Sequence, residues 1–169
     1  MKNGIIILLL LTCSLSYGQK CNYDYEKSDP FTGKKMVGIK TTISWAWKMI
    51  LNKSDENYSI SLFVNFPGVK EEIIQKGDTL MLALDGAEPV IFIAQADAQP
   101  QSNVVGSGSS SNIQTFYTAF YEADIDKLNQ ISQNIVTACR IYFGELHYTV
   151  NVKKRNGKKI MKAARCIQQ

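Results

Sequence analysis

The chain has 169 residues, of which 45% are hydrophobic, 20% charged and 10% aromatic. That is room for one core, and too ordinary a composition for a disordered tail, a collagen-like rod or a multi-span membrane protein. Lys and Arg number 19 against 15 Asp and Glu, and the single His removes most zinc sites and His-based catalytic schemes.

Residues 1–18 have the three-part pattern of a secretory signal peptide. Met1-Lys2 is a short basic start, Ile5 to Leu11 is an unbroken apolar run, and Ser16-Tyr17-Gly18 puts small residues at −3 and −1 of a cleavage site. The run is shorter than the ~20 residues a membrane span needs. Lipoprotein processing at Cys13 is the rival reading, weakened by Thr12 where Gly or Ala is usual. The mature chain, residues 19–169, is then expected to form one domain without a transmembrane segment, exported to the periplasm, outer surface or medium.

Removal of Lys2 and Cys13 lowers the net charge from +4 to +3 and leaves Cys21, Cys139 and Cys166. Disulfides persist outside the cytoplasm. Chain termini of compact domains often lie close together, which favours a Cys21–Cys166 bridge. Cys139, in an apolar strand pattern, reads as a buried free thiol, although three pairings are formally open.

Residues 19–35 are polar and broken by Pro30 and Gly33, an extended lead-in. Ile39, Thr41, Ile43, Trp45, Trp47 and Met49 then alternate with polar or small residues, the period-two pattern of one half-buried strand. Tyr58 to Phe66 repeats the pattern until Pro67-Gly68. Thr79 to Leu84 and Val90 to Ala94 flank Asp85-Gly86, a hairpin signal. Residues 95–112, with a Gly/Ser run, read as a long loop before a strand over 113–121. Asp124 caps a short helix with Ile125, Leu128 and Ile131 on one face. Ile135 to Phe143 and Leu146 to Val152 form strands joined at Gly144-Glu145. Asn156 is placed to cap a last helix striped by Ile160, Ala164 and Ile167. About seven strands and two short helices near the C-terminus predict a mainly β (α+β) fold, an antiparallel sandwich or partly open barrel.

Catalytic chemistry finds little support. His147 has no nucleophile motif beside it, and a pairing with Cys139 would need a thiol whose acidity burial suppresses. Glu122, Asp124 and Asp126 cluster where a strand meets a helix, the place for the carboxylate pair of a polymer hydrolase; capping of the helix by Asp124 and dipole complementarity at Asp126 are the favoured account. Asn22, Asp24, Glu26 and Asp29 lack the glycine of a calcium loop. Gly106-Ser107-Gly108 lacks the third glycine and the helix of a phosphate loop. No cofactor and no metal site is expected.

Two features point to binding. Lys153, Lys154, Arg155, Lys158, Lys159, Lys162 and Arg165 place seven cations in thirteen residues, a patch suited to anionic polymers; on a solvated helix face such a run also needs no partner. Trp45 and Trp47, two residues apart, are expected on one face of one strand. Exposed they would stack on sugar rings, whereas between Ile43 and Met49 they read as core. Envelope polysaccharide or another exported protein is the expected partner, and export argues against nucleic acid. A barrel holding a small lipophilic ligand is the remaining alternative, although the early Gly-x-Trp of the lipocalins is missing, Gly38 being followed by Ile39 and Lys40.

Cys21-Asn22-Tyr23, Asp29-Pro30-Phe31-Thr32-Gly33, Arg140-Ile141-Tyr142 and Cys166 in a Lys-rich final helix together resemble a group of small exported β-rich proteins of Bacteroidetes-type bacteria that have no assigned function. The resemblance covers most of the mature chain. It implies export and a disulfide between the terminal cysteines, and it carries no catalytic or binding residues. The sequence thus predicts an exported protein with a non-enzymatic binding or structural role.

Overall fold

The computed structural model describes residues 21–55, 57–106 and 111–169; the predicted signal peptide and part of the Gly/Ser run, residues 107–110, lie outside the described residues. Among the described residues, ten strands and two helices follow one another: β1 (Tyr25–Ser28), β2 (Lys35–Thr42), β3 (Trp47–Ser54), β4 (Asn57–Pro67), β5 (Thr79–Leu84), β6 (Ala87–Ile93), β7 (Gln101–Val105), β8 (Asn112–Ala123), α1 (Ile125–Gln133), β9 (Val136–Phe143), β10 (Leu146–Asn151) and α2 (Lys154–Ile167). The fold is β-rich α+β, with every strand pairing antiparallel.

The strands form a six-stranded sheet in the order β1-β2-β3-β4-β8-β7 and a four-stranded sheet in the order β10-β9-β5-β6. Alternation along each strand sets which side chains turn inward. Met49, Leu51, Ile60, Leu62, Tyr117 and Tyr121 from the larger sheet meet Leu80, Leu82, Phe92, Cys139 and Ile141 from the smaller, and Leu128, Ile131, Ile160 and Ile167 from the helices complete this one core. The interior is therefore filled by side chains. A bridge between Ala94 and Tyr121, extended by Gln95 N–H donating to the Phe120 carbonyl (2.9 Å), joins the sheets along one side. The Asp78 carboxylate ties the turn before β5 to the β9–β10 hairpin, accepting from Gln75 N–H (2.8 Å) and Gly144 N–H (3.1 Å).

Helix α2 packs on β2, β3 and β9. Gly157 makes this possible: a Cβ there would lie 2.1 Å from the Val136 carbonyl oxygen and 2.8 Å from Ile135. The Cys21–Cys166 disulfide, Cα atoms 5.4 Å apart and 145 residues apart in sequence, pins the end of α2 to the segment leading into β1. Such a bond belongs to a non-cytoplasmic compartment. Cys139 is a free, buried thiol. Among the described residues no helix is long and apolar enough to cross a membrane.

Four expectations are corrected. The alternating stretch from Ile39 to Met49 is not one strand but two, β2 and β3, paired antiparallel around a turn at residues 43–46. The lead-in contains strand β1, and the long loop contains β7, both largely exposed edge strands held by backbone pairing. Asn156 does not cap α2; the N-cap is Lys153, which makes no side-chain cap bond, and Asn156 sits within the first turn. Asp124 does cap α1, accepting from Lys127 N–H at 2.8 Å.

Candidate functional site

The turn at residues 43–46 reverses the chain without Gly, Pro, Asn or Asp. Its shape comes from Ser44, whose Oγ accepts from Ala46 N–H (3.3 Å) and Trp47 N–H (3.2 Å), the local side-chain-to-backbone bonding that competes with strand pairing. Ile43 N–H and Ser44 N–H both reach the Trp47 carbonyl, at 3.0 and 3.2 Å, and Asn65 N–H donates to the Ala46 carbonyl at 3.2 Å. From the other side the Asn156 amide of α2 donates to the Ile43 carbonyl at 3.3 Å. The turn is thereby fixed to β4 and to the last helix.

This arrangement separates the two indoles. Trp47 is 2% exposed and packs edge-to-face on Phe66, ring centroids 6.0 Å apart, whereas Trp45 is 83% exposed. Trp47 is therefore core and unavailable to a ligand from outside. Trp45 stands on the wall of an open groove of about 570 Å³, formed by the 43–46 turn, the end of β4, β10 and the start of α2. Tyr148, its ring tilted against Phe66 at 4.6 Å, lines the groove with Thr149 and Asn151, and Lys153 and Arg155 reach it from α2. Asn65 also lines it, with its Nδ2 donating to Gln114 and its buried Oδ1 without a hydrogen-bond partner among the described residues. Among the described residues, no carboxylate lines this groove.

The predicted binding cations are all exposed on or beside α2: Lys153, Lys154, Arg155, Lys158 and Lys159, with Lys162 and Arg165 beyond. Lys154 and Lys158 line neither this groove nor its neighbour, in which Lys159 and Lys162 face Lys40 of β2. The helix opens with three cations, no acidic residue in its first turn and no side-chain cap, the reverse of what its dipole favours. Local rules broken together in this way are characteristic of functional surfaces.

The acidic cluster has a different character. Glu122 and Asp124 border a separate open cavity of about 520 Å³ together with Lys127 and Tyr58; Asp126 is not part of its lining. Asp124 is occupied as the α1 cap and by an ion pair with Lys127 Nζ at 3.1 Å. Burial raises its pKa, but the hydrogen bonds and charge of Lys127 outweigh that and hold it below the usual carboxylate range. A general acid near neutral pH needs the opposite shift. His147 is exposed, leaning on the Tyr142 ring at 5.5 Å, and is paired in register with Tyr142, while Cys139 faces Val150. Burial raises the Cys139 thiol pKa well above its ordinary value, so the thiolate that nucleophilic chemistry requires is suppressed. Among the described residues no three His, Cys, Asp or Glu are grouped to hold a metal ion. Asp24 and Asp29 serve as backbone acceptors, for Lys40 N–H and for Phe31 and Thr32 N–H respectively.

Comparison of the chain with protein-family models, with curated proteins and with solved structures found no match.

Proposed function

We propose that this is an exported, non-enzymatic binding protein that holds an envelope polysaccharide in the Trp45 groove. The observation that carries the reading is the placement of an 83% exposed indole on the wall of a groove, on a turn fixed by Ser44, Asn65 and Asn156. A pyranose ring presents polarised C–H groups on its face, which complement the negative face of an indole. Exposed Thr149 and Asn151 supply a hydroxyl and an amide for the sugar's own hydroxyls. A rigid platform also limits the ordering cost of binding. Phe31 is more exposed still, at 95%, but sits on the separate β1–β2 turn shaped by Asp29. Export is supported by the leader pattern at residues 1–18, by the disulfide and by the resemblance carried by Cys21, the 29–33 segment and Cys166.

Titration of the mature chain with a panel of envelope and extracellular oligosaccharides, followed by calorimetry, tests the reading. At least one glycan should bind, and Trp45→Ala should weaken it by about tenfold, the scale of one lost aromatic anchor, without moving the urea midpoint. Absence of binding across the panel, or binding indifferent to Trp45, would overturn it.

A further inference from the structure

We infer that the ligand is an anionic glycan, bearing carboxylate or sulfate groups, that runs along α2 from the Trp45 groove into a second groove beside it. The inference rests on the reading of Trp45 as a sugar platform and adds to it the chemistry and the path of the chain.

Charge is strongly divided along the sequence. Residues 19–145 carry 11 Lys and Arg against 15 Asp and Glu, net −4, whereas residues 146–169 carry seven cations and no carboxylate. The apolar side of α2, Ile160, Ala164 and Ile167, is spent on the core, which turns its cations outward. Neither ion pair among the described residues, Lys34–Asp55 or Lys127–Asp124, uses a cation of this helix. Arg165 donates to the Ser132 carbonyl at 3.0 Å, but no carboxylate among the described residues neutralises these cations, and a concentrated positive field of that kind attracts an anionic polymer.

The cations also form a path. Arg155 reaches the Trp45 groove, and Lys159 and Lys162 line a second groove of about 490 Å³ with Lys40. Positions 155, 159 and 162 share one face of a helix, and seven residues at its 1.5 Å rise span about 10 Å. The two grooves follow one another along α2 and β2, Arg155 and Thr42 lining the first and Lys159 and Thr41 the second. Asp24 is the one carboxylate in the second groove, and its Oδ2 is held 2.6 Å from Lys40 N–H. An oligosaccharide is needed to touch both grooves, and its acidic groups would recur along the row of cations. A lipid surface fits less well: a membrane-seeking tip presents a cluster of exposed apolar groups, whereas in this groove Ile43, Trp47 and Phe66 are buried and Trp45 is exposed among Thr42, Thr149, Asn151, Lys153 and Arg155.

The test uses the mature, disulfide-bonded chain with a uronate hexasaccharide, a sulfated glucan hexasaccharide, a neutral glucan hexasaccharide and a uronate disaccharide. Anionic vesicles and single-stranded DNA serve as further probes. A charged hexasaccharide should bind at least tenfold more tightly than the neutral one at 50 mM salt, with most of that margin gone at 300 mM through screening. Lys159→Gln/Lys162→Gln should weaken the charged hexasaccharide by about fivefold, the scale of two exposed charge contacts, and leave the disaccharide unchanged. Equal binding of neutral and charged chains would overturn the inference while leaving the sugar platform standing; binding of no glycan would overturn both. A double variant that binds the hexasaccharide like the parent would remove the second groove from the path. Vesicles or DNA binding as tightly as the charged hexasaccharide, and indifferently to Trp45→Ala, would show a general anion surface and overturn the assignment to a glycan.

Discussion

Trp45 and Trp47 lie two residues apart yet on opposite sides of the protein surface, one 83% exposed and the other 2% exposed against the edge of Phe66. Their emission should therefore resolve into two populations. Trp47 should emit at short wavelength and resist acrylamide, and Trp45 should emit at long wavelength and be readily quenched. Trp45→Phe should remove the long-wavelength component alone. A single, uniformly protected population in the parent would contradict the geometry of the 43–46 turn.

Gly157 sets how closely α2 approaches the β-structure. Replacing glycine by alanine inside a helix normally stabilises it by up to about 1 kcal/mol. Here the new Cβ would meet the Val136 carbonyl oxygen at 2.1 Å, a backbone atom that cannot swing aside. Relief requires moving the helix away from β9, and overpacking of that kind costs roughly 1–3 kcal/mol. The clash outweighs the propensity gain, so Gly157→Ala should lower stability by about 1–2 kcal/mol on balance. Urea denaturation decides it; a stabilised variant would mean that the helix sits further out.

The parts of this fold that can be read from sequence are those where one residue dictates local geometry or where burial imposes a period. β4 and β5 follow from alternation, the hairpins at Asp85-Gly86 and Gly144-Glu145 from glycines at positive φ (74° and 60°), and the start of α1 from the Asp124 carboxylate. The 43–46 turn escapes because Ser44 makes it with a side-chain hydroxyl. It also preserves inward facing at Ile43 and Trp47, so the period-two pattern runs through a reversal of direction. β7 escapes because all five of its residues are exposed and carry no period; backbone pairing and a 2.7 Å contact between the Ser102 and Thr115 hydroxyls hold it. Trp45, Lys153 and Arg155 are each visible in the sequence as candidates. Their meeting in one groove depends on Asn156 bonding to Ile43 across the fold, a contact no local pattern encodes.

The disulfide closes a loop of 145 residues. On the chain-entropy account, restricting the unfolded chain over that length contributes on the order of 5 kcal/mol. Cys21→Ser/Cys166→Ser, made together so that neither thiol can pair with Cys139, should lose stability on that scale, and α2 should become the first element to exchange its amide hydrogens. The oxidised chain of residues 19–169 should show no reactive thiol while folded and one, Cys139, once unfolded, because that side chain is fully enclosed. Native-state labelling of Cys139 would contradict its burial between the sheets.

Asp124 links stability to acidity. Burial raises its pKa, but the Lys127 backbone N–H, side chain and charge, with the Asp126 N–H, together depress it in the folded state. A folded pKa below the unfolded one, near 3.9, means that the unfolded chain binds the proton more tightly. The contribution is thus present above the unfolded value and lost as pH falls through the folded one. Asp124→Ala should cost about 1 kcal/mol at pH 7, the usual value of an N-cap. The gap between parent and variant should hold down to about pH 5 and narrow below pH 4, where protonation removes the charge in the parent as well. Asp124→Asn keeps a capping oxygen without the charge, so it should fall between the two at pH 7 and show no narrowing of its own. Urea midpoints at pH 7 and pH 3 measure all three, and a parent–alanine gap of the same size at both would mean that the cap acts through shape and not through its charge.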